Sequence, residues 1–495
     1  MFCDNCGEEL PDGTRFCKFC GAELDAAPRD ETAPEAAASQ SPATGTPAAA
    51  VPSPVTPSTE LESQAPATSR SWLKSPFFIA GIALVIVIAV VLVLVFVVLA
   101  GPGESEAAPY VEEAIGLMDE EEYELALDKA NQAVGADPDY AMAYAVRGRA
   151  YNGLYRYGEA AADAEKAIEL DPDCGEAYRV RGFAYARQGD YDIAIVDYDK
   201  AIELDPDNAE AYHNRGYAYY IQGEYETALE DYDRSIELDA EDKYAYAERG
   251  DVYYNMEDYD AAIADYNRAA GLDQEYAKAF VGIGAAYIEQ GIYDSALAKL
   301  NRAIDLRPDY TYAYIYRSRA FLRLKEYKKS VADAGKAIEL DPEVAWAYVL
   351  RGASYLELEQ YEKAISDQNK AIELNPEYAA AYTNRGAAYN GLKQYDKALA
   401  DLNKAVELDP DAPRAYENRG NTYRGLGQND LAMADYNKSI EMDPLLAKAY
   451  CNRGLLYKQL GQTEQAIADL EKAVELDPDY EKAKRALRDL GVPGY

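Results

Sequence analysis

Four of the six cysteines of this 495-residue chain fall in its first twenty positions, in the stretch FCDNCGEELPDGTRFCKFC at 2–20. Cys3 and Cys6 form one CxxC turn, Cys17 and Cys20 another, with ten residues between the pairs. That spacing brings four thiolates onto one tetrahedral Zn²⁺. Gly7 and Gly21 follow the pairs and let the backbone turn tightly behind the sulfurs. Four thiolates saturate the metal and leave no position for an activated water, so the single zinc would be structural. Residues 1–25 hold too few apolar side chains to fold unaided, and metal binding would supply most of their folding free energy. Two disulfides or a redox CxxC are the competing chemistry, and the compartment decides between them.

The order CxxCG, an acidic turn, then FCxxCG resembles the short zinc-ribbon modules at the N-termini of many prokaryotic proteins, over residues 2–24. The remaining chemistry is sparse. His213 is the chain's one histidine. It has no evident Ser, Cys or metal partner in the sequence and reads as a surface contact residue, so general-base catalysis has little to work with and no enzyme is expected.

After the cysteines, residues 26–76 turn to Ala, Pro, Ser and Thr, a composition that cannot bury a core and reads as a disordered linker. Residues 77–100, FFIAGIALVIVIAVVLVLVFVVLA, contain no charged or polar side chain. A helix of that length is roughly 36 Å long, enough to span a hydrocarbon core of about 30 Å. Arg70, Lys74 and Trp72 precede it, and no Lys or Arg follows before Lys129. The positive-inside rule then keeps the N-terminus cytoplasmic and puts the C-terminal part outside the cytoplasm. A reducing cytoplasm also suits a tetrathiolate zinc site.

Beyond this segment the sequence repeats every 34 residues, through ten full units from 141 to 480. Each unit carries two apolar blocks at helical spacing, joined at a turn such as Gln222-Gly223, and most end in Asp-Pro, as at Asp205-Pro206. The unit is a helical hairpin. Its aromatic, Gly, Tyr, Ala, aromatic and Pro landmarks resemble the tetratricopeptide repeat. With a degenerate unit at 107–140 and a capping helix at 481–491, the resemblance covers 107–491. It implies an all-α superhelix, an α-solenoid of about ten to eleven hairpins, whose first helices line a concave groove.

Comparing the units with one another isolates a charge pair. Nine of the ten full units have Arg at their seventh position and Asp sixteen residues later, including Arg215 with Asp231 and Arg385 with Asp401. The unit at 277–310 lacks both, having Ile283 and Lys299, and the degenerate unit carries them exchanged, as Glu113 and Lys129. The joint loss points to a structural ion pair inside each hairpin. Cys174 and Cys451 lie eight units apart, too far to bridge within one array.

By the geometry of the resemblance, groove positions in the middle units include Phe183, Tyr217, Tyr220, Tyr244, Tyr254, Tyr312, Tyr316 and Trp346, mixed with Arg319 and Arg323. Exposed aromatics with arginine suit recognition of a protein or peptide partner. Superhelical closure or self-association is the alternative way to cover them. Asn384, Asn418 and Asn452 continue the groove, but the Lys and Asn pair with which some relatives clamp a C-terminal carboxylate is missing.

The net charge is −39, of which −33 falls in residues 101–495. Such a surface repels phosphate backbones, so nucleic acid is not expected as a partner. The sequence therefore reads as a single-pass, membrane-anchored scaffold with an extracytoplasmic solenoid and a tethered cytoplasmic zinc ribbon. The alternative is a membrane-held zinc-ribbon sensor or regulator touching nucleic acid or transcription machinery; the acidity of residues 1–25 counts against it.

Overall fold

The computed structural model describes residues 105–495. The zinc-ribbon cysteines, the Ala/Pro/Ser/Thr linker and the apolar 77–100 segment lie outside the described residues. Among the described residues there are 23 α-helices and no strand. None of these helices is long and apolar enough to cross a membrane.

The unit at 209–242 shows how local chemistry sets each hairpin. Its first helix, Ala209–Gln222, opens on Asn208, whose side chain accepts from the Ala211 N–H at 2.9 Å. It closes on Gly223, which takes the left-handed conformation at φ 83°. The same turn in six other hairpins is made by non-glycine residues, among them Lys325 and Glu359, at φ between 57° and 63°. Packing of the two flanking helices overrides the local cost there.

The second helix, Tyr225–Leu238, ends on Asp239 in an extended conformation. Asp205, before Pro206, ends its helix in the same way. So do Asp239 and Asp273, which precede Ala240 and Gln274 instead of proline. The 277–310 unit, with Arg307 before Pro308, ends without an aspartate there, but in these three units the shared device is the aspartate. Its Oδ1 accepts from the backbone N–H two residues on, at 3.2 Å for Asp205, 2.9 Å for Asp239 and 2.8 Å for Asp273.

Alanine and tyrosine divide the core between them. Ala211, Ala218 and Ala228 are fully buried, and so is Tyr232, which fills the space that the small residues leave between helices. Curvature follows from unequal contact. Each first helix touches the first helix of the next unit, whereas no second helix touches the next second helix. The first helices therefore form the inner, concave wall. The array also meets itself: Lys325 Nζ lies 3.0 Å from Asp477, 152 residues away, and Lys448 Nζ lies 2.6 Å from Glu357. These ties bring the last full unit against the units at 311–344 and 345–378.

All nine Arg/Asp pairs close within their own hairpin. Arginine Nε and Nη2 donate to the two carboxylate oxygens at 2.6–2.9 Å, as in Arg215 to Asp231 and Arg385 to Asp401. The exchanged pair, Lys129 with Glu113, closes at 2.8 Å. Sequence comparison missed a further bond, made by seven of the nine arginines. Nη1 of Arg385 reaches Asn369 at 2.7 Å and that of Arg215 reaches Asp199 at 2.5 Å, each on the second helix of the preceding unit.

Removing one partner of such a pair strands the other in a partly desolvated seam. Asp401→Ala should lower stability by about 2–3 kcal/mol, and a cycle with Arg385→Ala should show coupling above about 1 kcal/mol in urea unfolding. Additive single effects would mean that the pair does not hold the hairpin.

Candidate functional site

The sixth, ninth and second positions of successive first helices meet on the inner wall, so what stands there depends on how closely neighbouring units approach. Of the residues assigned to the groove, Tyr220 and Tyr312 are buried, at 5% and 4% exposure. Tyr244 remains open at 49%. Phe183, Tyr217, Tyr254, Tyr316 and Trp346 are half-buried, and Arg323 is exposed. Tyr316 and Trp346, from adjacent units, meet edge to face with centroids 5.1 Å apart. The Tyr254 hydroxyl donates to Glu289 at 3.0 Å, and the Arg319 guanidinium pairs with the same carboxylate at 2.5 Å. Much of the aromatic stripe is thus spent on joining units, and the wall it leaves is a shallower, partly charged surface.

Charged groups on this wall are matched across unit boundaries. Arg179 bridges Glu176 and Glu210 at 2.5 and 2.6 Å. His213 corrects the sequence reading, in which it was a surface contact residue. Its Nδ1 lies 2.9 Å from Asp242 and its Nε2 2.9 Å from Glu248, and its side chain is only 18% exposed. The partners sit 29 and 35 residues away, so no local motif announces them. Burial opposes a charged ring, but the Glu248 and Asp242 carboxylates outweigh it and hold the imidazole pKa up to about 10. In turn His213 helps to hold both carboxyls below their usual range. The cluster is an ion triad clamping two units, with the Tyr232 hydroxyl donating to Glu248 at 3.1 Å.

Beside this triad a cavity of about 50 Å³ opens on the inner wall, large enough for a few water molecules. Asp251, Tyr254, Tyr266, Lys278, Tyr312 and Tyr316 stand around it. Gly282 and Ala285 also line it, both from the unit at 277–310 that lacks the Arg/Asp pair. Gly282 occupies the position at which the flanking units carry Glu248 and Tyr316. A Cβ there would meet Tyr266 Cζ at 2.6 Å, so only glycine admits that ring. Asp251 is 4% exposed; its Oδ1 accepts from the Tyr266 hydroxyl at 2.5 Å and its Oδ2 lies 3.1 Å from Lys278 Nζ. Asp251, Lys278, Gly282 and Ala285 were not singled out from the sequence. The irregular unit, with Gly282 and Ala285 where its neighbours have larger side chains, was the available signal.

Among the described residues no group of three or more His, Cys, Asp or Glu could hold a metal ion. Cys174 and Cys451 are buried free thiols, and burial pushes both thiol pKa values up.

The triad fixes a pH dependence. The folded pKa of His213 is raised above its unfolded value of about 6.5, so its contribution is fully present below that pH and fades as pH rises through about 10. Asp242 and Glu248, depressed in the folded state, give a contribution that is present above their unfolded values and lost as pH falls. The stability lost on His213→Gln should therefore be largest near pH 5–6 and shrink toward pH 10, measured by urea midpoints. A loss that grows with pH would contradict a charged imidazole.

Family comparison matches the description TPR repeat to residues 182–223, 352–393 and 420–461. Two tetratricopeptide-repeat descriptions match 209–242, 379–412 and 447–480, and 111–174, 146–198, 247–311 and 286–345. A zinc-ribbon domain matches residues 2–24. No curated protein matches the chain. Among solved structures, the APC/C hetero-tetramer Cut9-Hcn1 is similar at 12% identity and TM-score 0.47, over 78% of this chain and 96% of that one. A tetratricopeptide repeat protein from Parabacteroides merdae ATCC 43184 is similar at 22% identity and TM-score 0.42, over 50% of this chain and 98% of that one. YrrB, described as a TPR protein with an unusual peptide-binding site, is similar at 28% identity and TM-score 0.27, over 38% of this chain and 97% of that one. With its hairpins matched along the array and its first residues matched to a second module, the chain belongs to the tetratricopeptide-repeat proteins and carries an N-terminal zinc-ribbon domain.

Proposed function

We propose that this protein is a membrane-anchored scaffold that captures a protein or peptide partner on the concave wall of its repeat array, with the zinc ribbon as a second, tethered interaction module. The observation that carries the groove reading is that Tyr244, Tyr316 and Trp346 remain partly open at inner-wall positions. Half-buried aromatics held rigidly by their neighbours offer contact area at small entropic cost.

Anchoring rests on the apolar 77–100 segment, and orientation on Arg70 and Lys74 before it. The array then lies outside the cytoplasm and the ribbon inside. Cys3, Cys6, Cys17 and Cys20 would hold one zinc ion, which supplies a rigid cross-link and no open coordination site. The reading assigns no catalytic step to any residue.

Partner recovery from membrane preparations should fall by about tenfold or more for the Tyr244→Ala, Tyr316→Ala, Trp346→Ala triple variant, in keeping with about 1.4 kcal/mol or more from aromatic anchors. Unchanged recovery would remove the groove from the proposal. Protease added to sealed, right-side-out cells should cut the array and spare the cysteine module; the reverse pattern would invert the topology. Full-length protein should release one zinc per chain to a thiol-reactive mercurial, and Cys17→Ser should lose it.

A further inference from the structure

We infer that the cavity over the 277–310 unit is a specificity pocket for a cationic side chain, arginine or lysine, presented by the partner. This rests on the groove reading above and names the chemistry of one of its subsites. Two observations converge. Tyrosines from three successive units stand around the cavity: Tyr254 and Tyr266, then Tyr310, then Tyr312 and Tyr316. Tyrosine rings attract a desolvated guanidinium or ammonium through their electron-rich faces.

A buried carboxylate lines the same cavity. Asp251 is 4% exposed, and its Oδ2 accepts no well-formed hydrogen bond, although Lys278 Nζ lies 3.1 Å away as an ion-pair partner. A ligand that donates a hydrogen bond satisfies that oxygen; a carboxylate or phosphate does not.

The linked groups beside the cavity are Asp242, Glu248 and Asp251 with His213 and Lys278, and Arg187 also acts on Glu248. Glu248 acts on both Lys278 and Asp251, which ties the two ion clusters together. On the other side Arg319 and Glu289 balance each other. Beyond the wall, the chain's net charge of −39 draws cations toward the groove. The pocket exists because the 277–310 unit is small where its neighbours are large: Gly282 and Ala285 stand opposite the tyrosines. The volume of about 50 Å³ admits the end of one side chain, not a folded element.

The test uses the full-length chain in detergent and three small probes in ligand-observed NMR titrations: N-acetyl-arginine amide, its neutral isostere N-acetyl-citrulline amide, and N-acetyl-glutamate amide. The arginine probe should bind about tenfold tighter than the citrulline probe, with the glutamate probe weaker still. Ala285→Leu, which fills the cavity, should weaken arginine binding by about tenfold, and Asp251→Asn should abolish the preference for arginine over citrulline. Lys278→Met supplies the test of sign. Removing the resident cation should strengthen arginine binding by about threefold or more. If the pocket takes an anion, the same change abolishes binding of the glutamate probe.

Equal binding of arginine and citrulline probes, tighter binding of the glutamate probe, or no binding of the arginine probe at all each overturns the inference. Should Asp251→Asn fail to retain helical circular dichroism, Ala285→Leu and Lys278→Met still decide it. Partner recovery that depends on Trp346 but not on Ala285 would sink the pocket and leave the groove standing.

Discussion

One guanidinium gripping one carboxylate at both oxygens holds each of nine hairpins, and the regularity of the array depends on it. Arginine is planar and carries five donors in a fixed fork. Nε and Nη2 are spent on the aspartate of the same hairpin, which leaves Nη1 pointing away from it. In the first-helix geometry of this fold, away means toward the second helix of the preceding unit, where Asp199 or Asn369 accepts. In seven of the nine hairpins a single side chain therefore fixes the angle within the hairpin and the register to the one before. An insertion that moved either helix face would break both bonds together, which gives the unbroken 34-residue phase a physical meaning.

The unit at 277–310 shows what happens where this tie is given up. Ile283 and Leu300 are fully buried in apolar clusters, and Lys299 lies over the Phe280 ring instead of gripping an aspartate. Apolar packing is less directional than a bidentate ion pair, and it suffices because neighbouring units hold the register on both sides. On the inner wall the same unit presents Gly282 and Ala285 against the tyrosines of its neighbours, and the cavity is the space left over. Irregularity in a repeat array has a cost in local fastening, and here it coincides with a built polar pocket between two ion clusters.

Repeat architecture was legible because period, helix length and turn positions are local properties. The Arg/Asp pairing was legible for a different reason: nine copies and one double loss make an internal comparison, and it distinguished partners within a hairpin from partners across units. It did not reveal the Nη1 bond, since the residues accepting it are a mixture of Asp and Asn and look like ordinary surface polarity. Proline looked like the stop signal for second helices, yet Asp239 and Asp273 make the same turn without it. There the aspartate bond to the backbone N–H two residues on makes the stop, whereas Arg307 before Pro308 makes it without an aspartate. The inner wall was read less well. Tyr220 and Tyr312 belong to its positions but are buried, and His213 is clamped between Asp242 at the end of its own unit and Glu248 of the next.

By itself the sequence determined the helical hairpin, its repeat, the bond that fastens nine of the ten full copies and the cysteine pattern of the zinc ribbon. All of these rest on contacts between residues a fixed and short distance apart along the chain. Only the tertiary structure decided which inner-wall side chains join units, which stay open and where a cavity remains. Those outcomes depend on how closely one first helix approaches the next, a distance set by the sizes of residues 29 to 35 positions apart and invisible to any local pattern.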